Sequence, residues 1–186
     1  MFGKICKFFR NGMFETPTSF DLDIKTLNYV NKSDNENPKY ACVGDSGFDL
    51  RAWITKEEKD VKIDKDSGRC AITLKPMERR MVHTGLYFNL PEHTEIQVRP
   101  RSGLAFKQGL SVINTPGTVD ELYTNEVCVL LVNLSKDKIT ITSGDRIAQA
   151  VLMPVYNSKL VNLTEVETIV DNNERGLNGF GHSGVK

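Results

Sequence analysis

Short runs of alternating apolar and polar residues, separated by turn-forming residues, constrain the fold of this chain more than any other feature. KITIT, with Ile139 and Ile141, is one such run, and Ile147 to Val155 is another that starts just after a Gly-Asp turn. Alternation with a period of two is typical of strands with one buried face, whereas Val127 to Val132 is apolar on both faces and predicts a fully buried strand. Many short strands with hardly any helix predict an all-β barrel or sandwich.

Length and charge limit the class of ligand. The 186 residues suit one domain with a sizeable core. Lys plus Arg and Asp plus Glu both number 24, so no overall field attracts nucleic acid or an anionic membrane, and an anion must be bound by a local cluster. We therefore expect a small phosphorylated ligand, no nucleic acid and no membrane partner.

The spacing of the cysteines and histidines indicates whether the chain has disulfide bonds or a zinc site, and whether its setting is reducing. The four cysteines form no C-x-x-C pair, and the three histidines form no H-E-x-x-H motif. The pattern predicts neither a disulfide framework nor a zinc site, and it favours a reducing, cytoplasmic or otherwise intracellular setting. No apolar run reaches the roughly 18 residues that a membrane-spanning helix needs.

The chain is expected to consist of a folded β domain between two terminal arms. Residues 1–20 are predicted to form an N-terminal arm, residues 21–174 the β domain and residues 175–186 a flexible C-terminal arm. Within the β domain, ten of the sixteen residues from 54 to 69 are charged, with signs interleaved. This pattern predicts a solvated hairpin or loop, which could also bind a protein partner. The run from Phe20 to Val30 shifts its alternation once and predicts a strand with a bulge.

A short helix is expected beside two arginines. Ser102 and Gly109 bracket the helix formers GLAFKQ, with Ser where a cap is favoured and Gly where a helix ends. The positive end of the helix, beside Arg99 and Arg101, would favour a phosphate. A capped helix with two solvated arginines explains these residues equally well.

A turn and two chemically useful side chains follow the helix. Asn114, Pro116 and Gly117 precede the buried run and predict a hairpin with a wide mouth. Asp120 can hold and polarise a water, and Tyr123 can pack against a sugar or base. The alternatives are a turn-stabilising aspartate and an amphipathic strand residue.

Two further stretches carry polar candidates. In residues 41–52 a carboxylate such as Asp49 could reach a hydrated Mg²⁺, because Mg²⁺ keeps several waters and needs few protein ligands; a charged loop leading into a strand is the alternative. Gln149 is the polar interruption of its strand, and its amide either satisfies a buried backbone group or reaches a ligand.

The C-terminal stretch RGLNGFGHSG, residues 175–184, has four glycines around one phenylalanine. A disordered terminus is the simpler interpretation. In the functional interpretation the arm orders over a ligand: Phe180 stacks on a flat ring, while Arg175, the Ser183 hydroxyl and backbone N–H groups meet phosphates.

Five of these stretches, taken in order, resemble the motifs of the trimeric deoxyuridine triphosphatase (dUTPase) family. They are GDSGFDLRA at 44–52, RPRSGLA at 99–105, NTPGTVDELY at 114–123, GDRIAQ at 144–149 and RGLNGFGHSG at 175–184. Each motif alone is a weak signal, whereas five in sequence order at suitable spacing are a strong one.

The resemblance implies a distorted jelly-roll β-barrel with one short helix and a C-terminal arm exchanged between subunits. It also implies a homotrimer whose three active sites are each built from all three subunits. The implied reaction converts dUTP and water to dUMP and pyrophosphate, with Mg²⁺ bound mainly by the triphosphate. This activity would limit uracil incorporation into DNA and supply dUMP for dTMP synthesis.

The resemblance also implies roles for single residues. Asp120 would orient the water that attacks the α phosphate, Tyr123 would pack under deoxyribose, and Asp49 would reach Mg²⁺ through water. The other implied substrate-binding residues are Asn114, Gly117, Thr118 and Val119 at uracil, Arg101, Ser102, Gly103 and Gln149 at the phosphates, and Arg175, Phe180, Gly181, His182 and Ser183 in the closing arm.

Departures from the family pattern leave alternatives open. Thr124 and Asn125 follow Tyr123 where the family usually has Arg-Gly, and Asn178, His182 and Ser183 are unusual in the fifth motif. A dCTP deaminase shares the fold, but its glutamate aligns with Leu130, and the neighbouring Glu126 is out of register by four residues. A dUTPase-fold regulator that binds a protein through residues 54–69 or 1–20 is the alternative from another class.

Overall fold

The computed structural model describes residues 25–169, which form short strands and one helix. The strands are β1 Asn28–Asn31, β2 Gly47–Arg51, β3 Lys62–Ile63, β4 Cys70–Leu74, β5 Arg79–Val82, β6 Leu86–Asn89, β7 Thr94–Arg99, β8 Leu110–Val112, β9 Gly117–Val119, β10 Val129–Asn133, β11 Ile139–Thr142 and β12 Arg146–Pro154. The helix is α1, Ser102–Gln108. The expected all-β fold with one short helix is confirmed for this part of the chain.

The strands pair antiparallel in four small sheets. Their strand orders are β1-β6, β5-β10-β8, β11-β4-β3 and β2-β12-β7-β9. Each order is open at both ends, so several small sheets enclose the core of residues 25–169, rather than one closed barrel.

Alternating residues along the strands build the core. In β7, Ile96 and Val98 are buried while Glu95, Gln97 and Arg99 point the other way. Strand β10 lies between β5 and β8 and buries most of its residues, which agrees with the prediction of a buried strand over 127–132. Removing large buried side chains from such a core typically costs about 2–5 kcal/mol of stability.

Helix α1 lies on the surface and has no fully buried residue. Gly109 ends it in the left-handed conformation, with φ 70°, as predicted. The expectation that Ser102 caps the helix is wrong: Arg101 is the N-cap, in extended conformation and without a side-chain cap hydrogen bond, and Ser102 is the first helical residue. Within residues 25–169, no helix is both long and apolar enough to cross a membrane.

The charged segment 54–69 is mostly exposed, as expected, with only the two-residue strand β3 pairing to β4. Its first residue differs, because Ile54 is 3% exposed and belongs to the core. The Arg80 guanidinium ties the segment to β5 through the backbone carbonyl of Lys59, at 2.5 Å, and the Glu58 carboxylate.

The structure tests the predictions for the chain ends only in part. Strand β1, Asn28–Asn31, overlaps the end of the strand predicted from Phe20 to Val30. The start of that predicted strand lies outside the described residues. The predicted arms, residues 1–20 and 175–186, also lie outside them.

Candidate active site

A row of polar side chains crosses three strands of the four-stranded sheet. Asp49 on β2 pairs with Gln149 on β12, and Gln149 pairs in turn with Arg99 on β7. Directly opposed residues of antiparallel strands share a face. Phe48 and Leu50, which flank Asp49, are buried on the other face, and so are Ala148 and Ala150, which flank Gln149. The row therefore faces away from the core.

One end of this row borders a cavity of about 370 Å³, which we call the cradle cavity. Its lining residues come from the turn before β2, β2 itself, the start of α1 and β12, and they include Asp45, Ser46, Gly47, Asp49, Arg101, Ser102, Gly103, Arg146 and Gln149. The structure thus brings Arg101, Ser102, Gly103 and Gln149, which the resemblance placed at the phosphates, together with Asp49.

Two guanidinium groups converge on Asp49. Its Oδ1 lies 2.8 Å from Nε of Arg101, and its Oδ2 lies 3.2 Å from Nη1 of Arg146. A guanidinium has five N–H donors in a fixed fork, so these ion pairs orient both groups and still leave donors for an added anion. Sequence reasoning missed Arg146, although a basic residue directly after the Gly144–Asp145 turn was a visible signal.

Gln149 spans the side of the cradle cavity. Its Nε2 donates to the backbone carbonyl of Pro100 at 3.0 Å. A Cβ on Gly47 would lie 2.9 Å from the Gln149 Oε1, closer than real Cβ contacts. A side chain at position 47 would therefore push against the Gln149 amide, which both satisfies a backbone group and lines the cavity.

The predicted hairpin is present, and its mouth contains an additional strand. Val112 on β8 pairs with Leu131 on β10, while β9, Gly117–Val119, leaves this sheet and pairs with β7. The segment Gly117–Val119, which the resemblance placed at uracil, is thus an edge strand. The Asn114 amide packs against Gly117, because a Cβ on Gly117 would lie 3.0 Å from Nδ2 of Asn114.

Asp120 and Tyr123 follow β9 and are both exposed. The backbone carbonyl of Asp120 accepts the turn hydrogen bond from N–H of Tyr123 at 3.0 Å, so the turn does not depend on the Asp120 carboxylate. The Tyr123 hydroxyl donates to the backbone carbonyl of Glu126 at 3.0 Å, and the tyrosine is 40% exposed. An accessible carboxylate therefore lies three residues from an accessible aromatic ring.

A polar network holds the chain just behind Asp120. The Glu121 carboxylate forms an ion pair with Lys159 and accepts hydrogen bonds from backbone N–H of His93 at 3.0 Å and from Nδ2 of Asn157 at 2.6 Å. The Lys159 hydrogen bond, followed by the His93 N–H, lowers the pKa of Glu121 to about 2. Glu121 thereby joins the segment after β9 to the segment after β12.

Within one chain the hairpin lies away from the cradle cavity. Strands β2 and β9 are the two edges of the four-stranded sheet, three strand spacings or about 14 Å apart. Asp120 lines another cavity, of about 340 Å³, with Glu121 and Lys159. The closing-arm residues expected at the site, Arg175, Phe180, Gly181, His182 and Ser183, lie outside the described residues.

Fold and site together define an all-β protein with a preformed guanidinium cradle and a separate exposed carboxylate beside an aromatic ring, an arrangement suited to a phosphorylated, ring-bearing ligand.

Comparison with known proteins identifies the family. The dUTPase family model matches residues 67–184. The chain is 46% identical over 159 residues to the deoxyuridine 5'-triphosphate nucleotidohydrolase of Cytophaga hutchinsonii, covering 86% of this chain and 92% of the relative. It is 43% identical to the protein of the same name from Finegoldia magna, covering 83% and 96%. The chain therefore belongs to the dUTPase family of nucleotide hydrolases, and the resemblance drawn from the five motifs is confirmed.

Solved structures agree on the fold. The Staphylococcus bacteriophage 80alpha dUTPase with dUPNHPP superposes with a TM-score of 0.67 at 24% identity, covering 87% of this chain and all of that one. The small open sheets described above are thus this chain's form of the dUTPase fold.

Proposed function

We propose that this chain hydrolyses dUTP to dUMP and pyrophosphate, with Asp120 orienting the water that attacks the α phosphate. The observation that carries the proposal is the cradle cavity, in which Asp49 holds Arg101 and Arg146 beside Ser102 and Gly103. Such groups, fixed before the substrate arrives, suit a reaction that depends on positioning and charge neutralisation. The family relatives carry the same activity in their names.

The hairpin would select the nucleoside. Asn114 and the backbone of Gly117, Thr118 and Val119 would bind the edge of uracil, and the Tyr123 ring would pack under deoxyribose and exclude a 2′-hydroxyl. The exposure of the ring and the edge position of β9 support these roles. An edge strand keeps backbone donors and acceptors available for a ligand.

We further propose a homotrimer in which the hairpin of one copy faces the cradle cavity of another. The separation of about 14 Å between the two regions across the sheet supports this arrangement. Residues 175–186 would close over the substrate, with Phe180 on uracil and Arg175, Gly181, His182 and Ser183 at the triphosphate. A closing segment of this kind excludes water from the reaction.

The cradle cavity fits Mg²⁺ through water rather than by direct ligation. Both Asp49 oxygens already pair with guanidinium groups, so direct coordination would displace an arginine. A carboxylate nevertheless offers about four lone-pair sites, which leaves room for Mg²⁺-bound water. When bound with the triphosphate, Mg²⁺ would supply charge neutralisation.

In the cell this reaction would limit uracil incorporation into DNA and provide dUMP for dTMP synthesis. Both roles place the protein where nucleotides are made and used, which is an intracellular setting.

Deamination of dCTP is the less favoured chemistry. The position of the deaminase glutamate is Leu130, a half-buried residue of β10 opposite Met81. Glu126 does not replace it, because its Oε1 accepts backbone hydrogen bonds from Thr84 and Gly85 and its Oε2 contacts His83. Without a positioned acid/base, a deaminase loses a factor of about 10²–10⁴ in rate.

A parallel assay tests the proposed reaction. Pyrophosphate release is measured from dUTP, dCTP, dTTP and UTP, with Mg²⁺ and with chelator, and ammonia is followed in the same tubes. We expect release from dUTP alone, dependent on Mg²⁺ and without ammonia. Ammonia from dCTP, or no product from dUTP, would overturn the proposal.

A protein partner at residues 54–69 or 1–20 stays a prediction. Deleting residues 54–69 would remove the buried Ile54 and the partly buried Val61, both of which pack with the core. Reversing exposed charges, as in Lys56→Glu with Lys65→Glu, is a cleaner test. A pull-down in which the charge-reversed chain loses a partner retained by the wild type would support it.

A further inference from the structure

Strand pairing brings three metal-binding side chains together away from the cradle cavity, although the sequence spacing predicted no zinc site. Val129 on β10 pairs with Val82 on β5, so one residue beyond that pair Cys128 stands opposite His83. Val82 and Val129 are buried, which directs His83 and Cys128 to the opposite face of the two strands. Glu126, two residues before Cys128, shares that face.

The three side chains already lie at nearly the spacing of a metal site. Nδ1 of His83 is 2.9 Å from Oε2 of Glu126 and 3.6 Å from Sγ of Cys128, and the three potential ligand atoms all lie within 4.8 Å of one another. Bond lengths of about 2.0–2.3 Å in a tetrahedral zinc site place ligand atoms roughly 3.3–3.8 Å apart. Small side-chain shifts would therefore suffice to admit an ion.

Backbone hydrogen bonds orient the cluster. The Glu126 Oε1 accepts from the backbone N–H of Thr84 at 3.1 Å and of Gly85 at 2.7 Å, which leaves Oε2 facing His83. The buried Thr84 hydroxyl donates to the backbone carbonyl of Val127 at 2.5 Å and joins the two chain segments. Such outer hydrogen bonds fix metal ligands in protein sites.

The Glu126 carboxylate also supplies a negative charge beside the thiol of Cys128. A metal ion that binds the Cys128 sulfur displaces the thiol proton. The His83 side chain is 37% exposed and that of Glu126 16%, so an ion could enter from solvent.

We propose that His83, Glu126 and Cys128 form a binding site for a borderline transition-metal ion, with Zn²⁺ the best match. One nitrogen, one oxygen and one sulfur ligand suit Zn²⁺ or Co²⁺, whereas Mg²⁺ prefers oxygen alone. Three protein ligands leave a fourth position for water. The site is separate from the cradle cavity and does not depend on the reaction proposed there.

Cobalt titration of the nucleotide-free, full-length chain without Mg²⁺ tests the site. We expect one Co²⁺ per chain, with visible bands of tetrahedral cobalt, a near-ultraviolet thiolate band, and displacement of both by Zn²⁺. Cys128→Ser should abolish the thiolate band, and Cys128→Ser and His83→Gln should each weaken binding at least about tenfold. The double variant Cys6→Ser/Cys42→Ser should keep the signal, because Cys128 alone supplies the cluster's thiol.

Zn²⁺ should also raise the melting temperature of the wild type, because an ion that binds only the folded state stabilises it. That shift should be lost in Cys128→Ser, whose metal-free melting temperature and circular dichroism check that it folds. Absence of the thiolate band from the wild type, or its persistence in folded Cys128→Ser, would overturn the proposal. His83 and Glu126 would then form a hydrogen-bonded pair only.

Discussion

The cradle cavity and the hairpin differ in how the chain prepares them. The cradle is assembled from three segments far apart in sequence, and its charges are already paired, with Arg101 and Arg146 on Asp49. The hairpin is one contiguous segment, and the carboxylate of Asp120 and the ring of Tyr123 are left exposed. One chain thus fixes the groups that would bind phosphate, whereas the groups of the proposed attacking end are left exposed to solvent.

The largest effect is expected at the open end. Asp120→Asn should abolish measurable hydrolysis, a loss of about 10²–10⁴-fold, because the amide can no longer polarise the water. Nucleotide affinity should stay within about tenfold, since the change is isosteric and removes an interaction made in the attack. Steady-state kinetics and nucleotide titration measure the two quantities. Normal turnover would remove Asp120 from the mechanism.

The second-largest loss of activity is expected from a substitution in the cradle cavity. Arg101→Ala should lower kcat/KM by about 10²–10³-fold, because it removes a preorganised charge at the phosphates and leaves Asp49 with Arg146 alone. Lys107→Ala, in the exposed last turn of the same helix, is the matched control and should keep near-normal kinetics. Equal effects of the two changes would mean that only overall charge matters.

Two glycines of the cradle should respond in opposite ways. Gly47→Ala should displace Gln149 and cost about 1–3 kcal/mol by overpacking, because the new Cβ lies 2.9 Å from Oε1. A Cβ on Gly103 meets nothing within 4 Å, so Gly103→Ala in the helix should be neutral or stabilising by up to about 1 kcal/mol. Thermal unfolding measures both. Loss of activity in stable Gly103→Ala would indicate close approach of substrate to the helix, whereas full activity would contradict the role given to Gly103.

The smallest effect, on stability, is expected from the hydrogen bonds of Glu121, the residue after Asp120. Hydrogen bonds from Lys159 and the His93 N–H lower the folded-state pKa of Glu121 from 4.5 to about 2. These contacts therefore contribute stability that is fully present above about pH 4.5 and is lost as pH falls toward 2. Glu121→Gln should therefore melt below the wild type at pH 7, with a difference that narrows in acid. Glu165→Gln, in the exposed segment after β12, is the control. A difference that does not depend on pH would place the effect outside this carboxylate.

Most of the correct predictions came from local sequence patterns, in which the residues involved are close together in the chain. Alternation located the strands, the Gly109 position located the helix end, and the turn residues located the hairpin. Ser102 was misassigned as a cap because cap preference assumes that a side chain satisfies the first N–H groups. Here Ser102 and Gly103 border an open cavity, where water or ligand can serve instead.

Contacts that depend on strand pairing could not be predicted from the spacing of residues along the sequence. Arg146 reaches Asp49 only because β12 lies beside β2. His83 and Cys128 stand opposite each other only because β5 pairs with β10 in one register. Ile54 belongs to a charged segment by composition, yet the chain leaving β2 carries it into the core. Such long-range neighbours follow from topology, which local pattern does not specify.

Mixing two inactive variants tests most directly whether the two regions come from different copies. Asp120→Asn and Arg101→Ala chains are unfolded together, refolded and assayed for dUTP hydrolysis, with each variant treated alone as a control. If hairpin and cradle of one site belong to different chains of a trimer, random assembly should restore about a quarter of wild-type activity. Recovery of none, from mixtures shown to contain both chains in one oligomer, would mean that one chain supplies both and would contradict the shared site.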